Sequence, residues 1–454
     1  MKNDIIHPMH VIIVGAGEVG FQIARFLTNE SIDVVVIDRD TDKLKRVSEE
    51  LDVAVVEGEG GDPSALKEAG AERADMLLAV TNSDETNMIS CLLAKALFSI
   101  PRKIARIRNP DYFFNKELMS RENLDIDPVI NPELEAARAV TRLLEVPFAS
   151  EVEDFEKGLI KVIAYKIPEG SRLVGRALKD IRVKLATRFL IGLIIRNEKA
   201  LIPTGNDKLN VGDIVYMPIL KTELPDVASL LDVSVRPSKR IMIIGGGRVG
   251  YYIASSMEYK SDIKIIEKDQ ERCKYLSRYL GKSLILHGDG ADQKLLEEEN
   301  VKEMEVVVTV TNSDELNIMS ALLAKKMGAL KTIAIVNRTD YIPLAHSLGL
   351  QAVLSPRMIT ASSIMRCVRQ GEIISLTSTA NAKAEIIEAR VGPNSPLIGS
   401  PLKDISMPKS TLVGAVIRDE RAIIPTGNDY IEQGDRLVVF AAKESIKELE
   451  DILQ

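Results

Sequence analysis

VGAGEVG at residues 14–20 links a short apolar run, HVIIV at residues 10–14, to a segment whose apolar residues recur at helical spacing. The first glycine of such a G-x-G-x-x-G loop permits a tight turn, the second lets a phosphate approach the backbone, and the third lets helix and strand pack closely. A phosphate placed there would meet the free N–H groups of the helix N terminus. The stretch therefore predicts the start of a Rossmann-type nucleotide-binding fold.

The same arrangement occurs twice in the chain. Gly15 and Gly245 are 230 positions apart. Three segments of the first half recur in the same order in the second half: residues 14–20 as 244–250, residues 80–85 as 310–315, and residues 202–207 as 424–429. The first two matches are 230 positions apart and the third 222, so the copies differ by short deletions, and three matches in the same order do not arise by chance. The sequence therefore indicates a tandem duplication, here called copy one and copy two.

Apolar runs alternate with helix-like segments around the first glycine loop. Further runs follow at residues 34–38, 76–80, 103–107 and 128–130. Continuous apolar residues are typical of strands buried on both faces of a parallel sheet, and the helices between them supply right-handed crossovers. We therefore predict an α/β fold with two Rossmann-like, doubly wound parallel-sheet domains.

The segment after each Rossmann-like part has a different character. Strand-like runs such as LIKVIAYKI, FLIGLIIR and IVYMPI are separated by turns, which predicts a small α+β domain. The predicted division has four domains: nucleotide-binding domains at residues 9–145 and 239–370, and small domains at residues 151–232 and 382–454. Linkers are predicted near residues 145–152, 232–239 and 370–382, and residues 1–8 are predicted to be an extension.

Composition excludes several classes of function. Hydrophobic residues make up 45% of the 454 residues and charged residues 28%, as in ordinary globular proteins. No run approaches the ~20 apolar residues that cross a bilayer, and no signal-peptide core is present, so we expect a cytoplasmic protein without lipid insertion. The net charge of -7 gives no basic footprint for nucleic acid. The 3 cysteines and 4 histidines are dispersed without metal-ligand spacing, so we predict no metal site.

An acidic residue ends the second predicted strand in both copies. Asp38 follows Gly20, and Glu267 follows Gly250, at the separation where an acid hydrogen-bonds an adenosine ribose. Such an acid disfavours a 2′-phosphate, which argues against NADP. The alternative is that the glycines only form turns and the acids are solvated strand ends. Two complete copies weigh against that alternative.

Two polar residues end the fourth predicted strand in each copy, Thr81-Asn82 and Thr311-Asn312. They lie at the carboxyl edge, where doubly wound sheets bind ligands, and their side chains are able to hydrogen-bond ribose or phosphate. The alternative is helix capping by the adjoining Ser83 or Asp84. Both roles are compatible with each other.

Arg106 lies within the strand-like run KIARI, where a buried guanidinium is costly unless an anion pairs with it. It is therefore a candidate phosphate ligand, and a salt bridge to a neighbouring acid is the alternative. Copy two has Ile335 at the matching position. The sequence thus predicts different phosphate chemistry in the two copies.

No catalytic constellation is apparent, and we predict no catalytic residue. A dehydrogenase needs a general acid or base beside the nicotinamide. Tyr112 and Lys116 have the spacing of a short-chain dehydrogenase pair, but they follow the fifth strand, and copy two pairs Tyr341 with Ala345. Chance spacing explains the pair better.

The order of several motifs resembles the TrkA family of proteins with RCK (KTN) domains. These motifs are VGAGEVG, VVVID, GEGGDPSALKEAGAERADMLLAVTNSDETNM, KIARIRNPDY and IPTGND, and together they span nearly the whole chain. The resemblance implies a small RCK C-terminal-type domain after each nucleotide-binding domain. It also implies a non-enzymatic regulatory subunit that binds NAD(H) and ATP or ADP. Its partner would be an integral-membrane potassium transporter of the TrkH or TrkG type, and a ring of eight nucleotide-binding domains would make it a homotetramer.

The candidate cofactor-binding residues combine the loop chemistry with this resemblance. In copy one they are Gly15, Ala16, Gly17, Glu18, Val19, Gly20, Asp38, Thr81, Asn82 and Arg106. In copy two they are Gly245, Gly246, Gly247, Arg248, Val249, Gly250, Glu267, Thr311 and Asn312. Two alternative functions stay open at this point, an NAD-dependent oxidoreductase and a scaffold whose nucleotide sites are relics.

Overall fold

The computed structural model describes residues 9–29, 32–182, 188–197, 199–368, 373–378 and 384–453. The chain divides into two compact units. Unit 1 contains Met1–Ala136 and Ser355–Val368, and unit 2 contains Ala137–Leu354 and Arg369–Gln454. The predicted extension at residues 1–8 lies outside the described residues. None of the described helices combines the length and the apolar character that crossing a membrane requires.

Unit 1 contains a six-stranded parallel sheet in the order β3-β2-β1-β4-β5-β6. Its strands are β1 (His10–Val14), β2 (Asp33–Asp38), β3 (Ala54–Glu57), β4 (Met76–Ala79), β5 (Arg102–Arg106) and β6 (Val129–Ile130). Its helices are α1 (Glu18–Asn29), α2 (Thr41–Glu50), α3 (Pro63–Glu68), α4 (Asp84–Ala96), α5 (Pro110–Phe113), α6 (Lys116–Met119) and the start of α7 (Pro132–Glu145), with a 3-10 turn at Ala71–Arg73. The central strands β1 and β4 are buried along their whole length, as their apolar runs predict. The prediction of a doubly wound sheet is confirmed.

Unit 2 contains a second parallel sheet of the same order, β14-β13-β12-β15-β16-β17. The labels continue in chain order through the first small domain, so the strands of this sheet are β12 (Arg240–Ile244), β13 (Asp262–Glu267), β14 (Leu284–His287), β15 (Val306–Thr309), β16 (Lys331–Ile335) and β17 (Ala352–Leu354). The helices are α10 (Arg248–Met257), α11 (Gln270–Tyr279), α12 (Gln293–Glu298), α13 (Asp314–Lys326) and α14 (Tyr341–Ser347), with a 3-10 turn at Val301–Glu303.

Unit 2 also contains the two small antiparallel sheets, each of five strands. The first has the order β10-β9-β11-β8-β7, from β7 (Glu151–Phe155), β8 (Ile160–Lys166), β9 (Leu193–Arg196), β10 (Lys199–Leu201) and β11 (Ile214–Leu220), with α8 (Leu178–Arg182), α9 (Leu224–Leu231) and 3-10 turns at Glu156–Gly158 and Lys221–Glu223. The second has the order β18-β19-β22-β20-β21, from β18 (Ile373–Ser378), β19 (Ala384–Arg390), β20 (Thr411–Arg418), β21 (Arg421–Ile423) and β22 (Arg436–Ala442), with α16 (Ile446–Leu453) and 3-10 turns at Leu402–Asp404 and Lys443–Ser445. Both are α+β domains, as predicted.

The interval predicted as a linker at residues 370–382 contains strand β18, which pairs with β19. That prediction is wrong for residues 373–378. The reason is that its sequence, IISLTS, is neither a continuous apolar run nor a strict alternation of apolar and polar residues, while its backbone still pairs with β19. Of the same interval, residues 370–372 and 379–382 lie outside the described residues.

Helix α15 (Pro356–Val368) belongs to copy two in sequence but to the core of unit 1. Its residues Ala361, Ile364 and Met365 are buried in one apolar cluster with Phe21 of α1. The Arg102 guanidinium, at the start of β5, donates to backbone carbonyl oxygens at the C-terminal end of α15. A cation at a helix C terminus is favourable, because the last carbonyl groups lack helical partners. Helix α15 therefore ends where β5 begins.

Unit 2 contains the matching arrangement around the end of α7. Val140 and Leu144 of α7 belong to the same apolar cluster as Ile253 of α10. The Lys331 ammonium, at the start of β16, donates to the carbonyl oxygens of Pro147 and Ala149, at 2.9 and 2.7 Å. A basic residue at the start of a fifth strand thus holds the chain near the end of a helix in both units.

Glu151 gives the first small domain a pH-dependent stability. Burial raises the pKa of Glu151 to about 7, although its carboxylate accepts a hydrogen bond from the Tyr216 hydroxyl at 3.0 Å. Because the folded state holds this proton more tightly than the unfolded state, we expect the free energy of unfolding to fall by roughly 3 kcal/mol between pH 4.5 and 7. Glu151→Gln, which keeps an acceptor for Tyr216, should therefore stabilise the protein at pH 8 and change little at pH 4.5.

Chemical denaturation of the two proteins at several pH values measures this difference. Glu169→Gln is the matched control, because Glu169 is exposed in the same domain. A difference between Glu151→Gln and the wild type that does not grow from pH 4.5 to pH 8 would contradict the prediction.

Candidate nucleotide-binding sites

The first glycine loop connects β1 to α1 and leaves room at its middle glycine. Gly15 has a φ of +114°, which residues with a side chain rarely adopt, and a Cβ there would lie 3.0 Å from the Thr81 backbone nitrogen. A Cβ at Gly20 would lie 1.9 Å from the Gly15 carbonyl oxygen. A Cβ at Gly17 would meet no atom within 4 Å. The first and third glycines are therefore required by the fold, and the second leaves open space directly before the first turn of α1.

Asp38 holds this loop from the end of β2. One carboxylate oxygen accepts a hydrogen bond from the Ala16 N–H at 2.6 Å, and the other accepts from the Asp40 N–H at 3.0 Å. A carboxylate has about four lone-pair positions, so both oxygens keep acceptor capacity. Asp38 is therefore able to fix the loop and to receive a ribose hydroxyl together.

Glu18 and Val19 follow the open glycine, and their side chains have different surroundings. The Glu18 carboxylate accepts hydrogen bonds from Gln22 at 3.0 Å and Arg46 at 3.2 Å. Burial raises the pKa of Glu18, but these two hydrogen bonds and the charges of Arg46 and Arg357 outweigh it and lower the pKa. The Val19 side chain is buried in the core. Val19 therefore offers only its backbone to a ligand.

Thr81 is held by an asparagine that our sequence analysis did not identify. The Thr81 N–H and hydroxyl both donate to Asn87 Oδ1, at 2.9 and 2.7 Å, and Asn87 Nδ2 donates to the Arg106 carbonyl oxygen at 2.8 Å. Copy two repeats the set with Asn317 and Thr311. The signal was present, since an asparagine follows the repeated VTNSDE segment at the same spacing in both copies.

The capping alternative is correct for the residues that follow. Ser83 is the N-cap of α4, and its hydroxyl accepts from the Thr86 N–H at 3.1 Å. Asn82 remains exposed at the edge of the sheet. In copy two, Ser313 caps α13 in the same way and Asn312 is exposed. Thr81 is engaged within the loop, so Asn82 is the better placed of the two for a ligand.

Arg106 ends β5 at the carboxyl edge, and its guanidinium is incompletely paired. The residue is only 7% exposed. One terminal nitrogen donates to Asn82 Oδ1 at 3.3 Å, while Nε has no hydrogen-bond partner among the described residues. Burial lowers the pKa of Arg106 to about 10, which still leaves it charged at neutral pH. A buried cation without a paired anion is costly, so this guanidinium fits an anionic ligand.

The two acids whose charges act on Arg106 form their ion pair or hydrogen bonds with other groups, although Glu133 Oε2 has no hydrogen-bond partner among the described residues. Glu133 forms an ion pair with Arg108, with a nitrogen–oxygen distance of 3.0 Å. The Asp84 carboxylate accepts from the backbone N–H groups of Arg108 and Asn109, at distances of 2.7 to 3.0 Å. Within the described part of the chain, the salt-bridge alternative for Arg106 is therefore not what the structure shows.

The second glycine loop has the same backbone and different side chains. Gly245 has a φ of +110°, and a Cβ at Gly247 would meet no atom within 4 Å. Glu267 accepts from the Gly246 N–H at 2.6 Å, as Asp38 does in copy one. The Arg272 side chain donates to the Gly246 carbonyl oxygen at 2.6 Å.

The remaining predicted residues of copy two contribute less to a ligand site. Val249 packs against the core and Arg248 is exposed. Ile335 occupies the position of Arg106, since its carbonyl oxygen accepts from Asn317 Nδ2 at 2.8 Å just as the Arg106 carbonyl oxygen accepts from Asn87. The Ile335 side chain is buried there. A Cβ at Gly250 would lie 2.1 Å from the Gly245 oxygen, so Gly250 serves the packing of helix on strand. Copy two therefore lacks the buried guanidinium.

Tyr112 and Lys116 do not form a catalytic pair. Tyr112 lies in α5 and packs against an apolar cluster, whereas Lys116 begins the separate helix α6 and is exposed. The two side chains therefore do not share one helix face, as a tyrosine–lysine pair at this spacing must.

The fold and the two glycine loops define the class: a double-length Rossmann-type protein in which each parallel sheet is followed by a small α+β domain. The TrkA-N domain model matches residues 11–132 and 241–356, and the TrkA-C domain model matches residues 162–231 and 386–454. The chain belongs to the TrkA family.

Curated relatives match the chain over nearly its whole length. The Trk system potassium uptake protein TrkA of Halomonas elongata is 36% identical over 98% of this chain and 99% of its own length. The TrkA protein of Vibrio alginolyticus is also 36% identical over 98% of this chain. TrkA homolog 1 of Methanosarcina mazei is 37% identical over 97%. These relatives are named as parts of a potassium uptake system rather than as enzymes, which agrees with the expected lack of catalysis.

Solved structures share the fold. A GsuK channel described as bound to NAD aligns over 100% of this chain and 80% of that chain, with a TM-score of 0.62 and 16% identity. The GsuK RCK domain aligns over 100% of this chain and 96% of that chain, with a TM-score of 0.62 and 17% identity. The pairs of parallel and small sheets in this chain are therefore RCK-type folds.

Proposed function

We propose that this protein is a nucleotide-sensing regulatory subunit that binds NAD(H), ATP or ADP and gates a membrane potassium-uptake protein. One observation carries the nucleotide part of the proposal. At each glycine loop the fold leaves open space at the middle glycine, directly before a helix N terminus, and an acid holds the loop from the next strand. Backbone N–H groups at a helix N terminus favour a phosphate, and the acid favours a ribose.

The relatives support the potassium-uptake part. Proteins 36 to 37% identical over at least 97% of this chain are named as Trk system potassium uptake proteins. A Trk system needs a membrane-spanning subunit to carry the ion. We therefore infer an integral-membrane transporter of the TrkH or TrkG type as the partner, reached from the cytoplasmic side.

The nucleotide acts as a signal in this proposal rather than as a substrate. The site residues are backbone N–H groups, one guanidinium, and carboxylates that accept hydrogen bonds from the loops, and this set supplies binding energy. A ligand shifts a protein between two states only through its different affinity for them. The regulated quantity is thus the population of a conformation that the transporter recognises.

The assembly proposed is a closed ring. Two nucleotide-binding domains in one chain form pseudo-symmetric halves, and closed rings of such halves satisfy every interface. Eight domains per ring correspond to four chains. The proposal is therefore a homotetramer under the transporter.

The experiment combines assembly, binding and transport. We expect the purified full chain to run as a tetramer in light scattering, to co-purify with a co-expressed Trk-type membrane protein, and to bind NADH, ATP and ADP in calorimetry. In proteoliposomes, nucleotides should change rubidium uptake only when the chain is present, and the transporter alone is the control. A monomer that neither binds the transporter nor alters uptake would refute the proposal, and NADH oxidation with a carbonyl substrate would favour the oxidoreductase.

A further inference from the structure

Arg357 stands near the N terminus of α15, and the geometry of unit 1 puts that end at the carboxyl edge of the sheet. Helix α15 ends at the start of β5, where Arg102 holds its last carbonyl groups. It packs along α1 and β6, and its 13 residues span about 18 Å. Since β5 rises over five residues from Arg102 to Arg106, the N terminus of α15 lies at the Arg106 end of the strand.

The charges around Arg357 agree with this position. Its charge acts on two residues of the first site. Burial raises the pKa of Glu18, whereas the hydrogen bonds from Gln22 and Arg46 lower it, and the charge of Arg357 adds to this lowering. It also acts with burial and Arg108 to lower the pKa of Arg106, against Glu133 and Asp84. Arg357 is therefore close enough to Glu18 at the glycine loop and to Arg106 at the end of β5 for its charge to act on both.

The local physics of the helix does not explain an arginine at this position. A cation in the first turn opposes the helix dipole, and here it also faces the like charge of Arg106. Copy one has a glutamate at the matching place, since Pro132-Glu133 corresponds to Pro356-Arg357. Among the described residues Arg357 forms no ion pair or hydrogen bond, and the Glu18 carboxylate, on which its charge acts, is already hydrogen-bonded to Gln22 and Arg46. An anion between Arg106 and Arg357 would offset them.

We propose that Arg357 is a phosphate-binding residue of the first nucleotide site, so that this site takes one guanidinium from each half of the chain. The inference rests on the proposed function, because it concerns the same glycine loop. The loop N–H groups receive the phosphate nearest the ribose, and Arg106 and Arg357 receive the phosphates beyond it. The ligand class is an adenosine di- or triphosphate, whose terminal phosphate carries more charge than a bridging pyrophosphate.

This arrangement links nucleotide binding to the position of α15. The helix leads directly into the second small domain, through residues 369–372 in sequence. A terminal phosphate held by Arg357 would stabilise the N terminus of α15, whereas a ligand without that phosphate would leave like charges facing each other. Nucleotides with a terminal phosphate and nucleotides without one would therefore differ in their effect on the stability of the N terminus of α15.

The experiment measures nucleotide affinity in the full-length chain with the second site disabled by Gly247→Val. In this background Arg357→Ala should weaken ATP about tenfold to a hundredfold, since one charge-assisted contact is worth about 1.5 to 3 kcal/mol. It should leave adenosine unchanged and NADH within about twofold. Arg357→Lys should recover part of the ATP affinity. Arg73→Ala is the matched control, because it removes an exposed charge before β4, at the amino ends of the strands, away from the proposed site.

Thermal unfolding separates this role from a structural one. Without ligand, Arg357→Ala should melt at or above the wild-type temperature, because a like-charge repulsion is removed, and the stabilisation by saturating ATP should shrink. Sodium tripolyphosphate as a competitor shows whether the phosphates alone suffice, and competition weakened by Arg357→Ala supports the proposal.

The outcomes distinguish the inference from the proposed function. If Arg106→Ala weakens ATP and Arg357→Ala does not, the first site stands and the inference on Arg357 is overturned. If the Gly247→Val variant binds no nucleotide while the Gly17→Val variant still binds one, copy one is not a nucleotide site. In that case the proposed site in copy one and the inference on Arg357 are both overturned. A lowered melting temperature of unliganded Arg357→Ala with unchanged ATP affinity shows a structural residue and also overturns the inference.

Discussion

Gly17→Val is expected to abolish nucleotide binding at the first glycine loop without unfolding the protein. A Cβ at Gly17 meets no atom within 4 Å, so the fold has room for the side chain. The same space is where a phosphate must come to reach the N–H groups before α1. Displacing the phosphate removes several charge-assisted hydrogen bonds, so the affinity should fall by at least about a hundredfold, or about 3 kcal/mol.

The second loop provides a matched test in the same chain. Gly247 has equally open surroundings and lies directly before α10. Each single variant should reduce the number of bound nucleotides per chain from two to one, and the double variant should bind none. Gly20→Ala is the contrasting control, because its Cβ would lie 1.9 Å from a backbone oxygen and should lower the melting temperature instead.

Calorimetry with NADH and with ATP gives the stoichiometry, and circular dichroism confirms folding. If both valine variants fold and still bind two nucleotides per chain, the glycine loops are not the binding sites. If Gly17→Val loses both nucleotide binding and folded structure, the fold does not tolerate a side chain at Gly17, contrary to our expectation.

Both parallel sheets could be predicted from the sequence because the relevant signals are local. An apolar run such as HVIIV is followed within a few residues by its glycines, and the acid of the next strand follows at a fixed distance. Gly15 and Gly20 then behave as their motif requires, one through its backbone angle and the other through close packing. Duplication strengthened each signal, because every feature could be compared with a second copy.

The features that were missed depend on contacts between distant parts of the chain. No local pattern indicates that α15 of copy two packs in unit 1, because that depends on which core its apolar face reaches. The role of Asn87 likewise requires knowing that β5 lies beside β4, so that one side chain joins Thr81 to the Arg106 backbone. For the same reason the sequence left a salt bridge to Arg106 open, and only the structure shows which acids are already engaged.

Arg106 makes the two copies unequal, and discrimination between nucleotides should therefore reside in copy one. Both loops offer similar backbone N–H groups to a phosphate. At the end of its fifth strand copy one adds a buried guanidinium whose Nε has no hydrogen-bond partner among the described residues, and copy two has the buried Ile335 there. ATP and ADP carry more charge on their terminal phosphates than NAD carries on its bridging pyrophosphate. They should therefore gain most from Arg106.

Arg106→Ala is expected to weaken ATP by about tenfold to a hundredfold, from the loss of about 1.5 to 3 kcal/mol, and to weaken NADH much less. Nucleotide-dependent potassium uptake should be blunted to a similar degree. Ile335→Arg should strengthen ATP binding in copy two, since the strand there has the same register against its neighbour. Arg106→Lys separates charge from geometry, because lysine keeps the charge but cannot form the planar contacts of a guanidinium.

Competition between ATP and NADH, measured in the Gly247→Val background, assigns the effect to copy one. Removing Arg106 takes a costly buried charge out of the ligand-free protein, so the melting temperature without nucleotide should stay level or rise. A structural salt bridge would give the opposite result, since its loss leaves the partner acid buried and unpaired. Unchanged ATP affinity and uptake in Arg106→Ala, together with a lowered melting temperature, would therefore show that Arg106 stabilises the fold and does not bind phosphate.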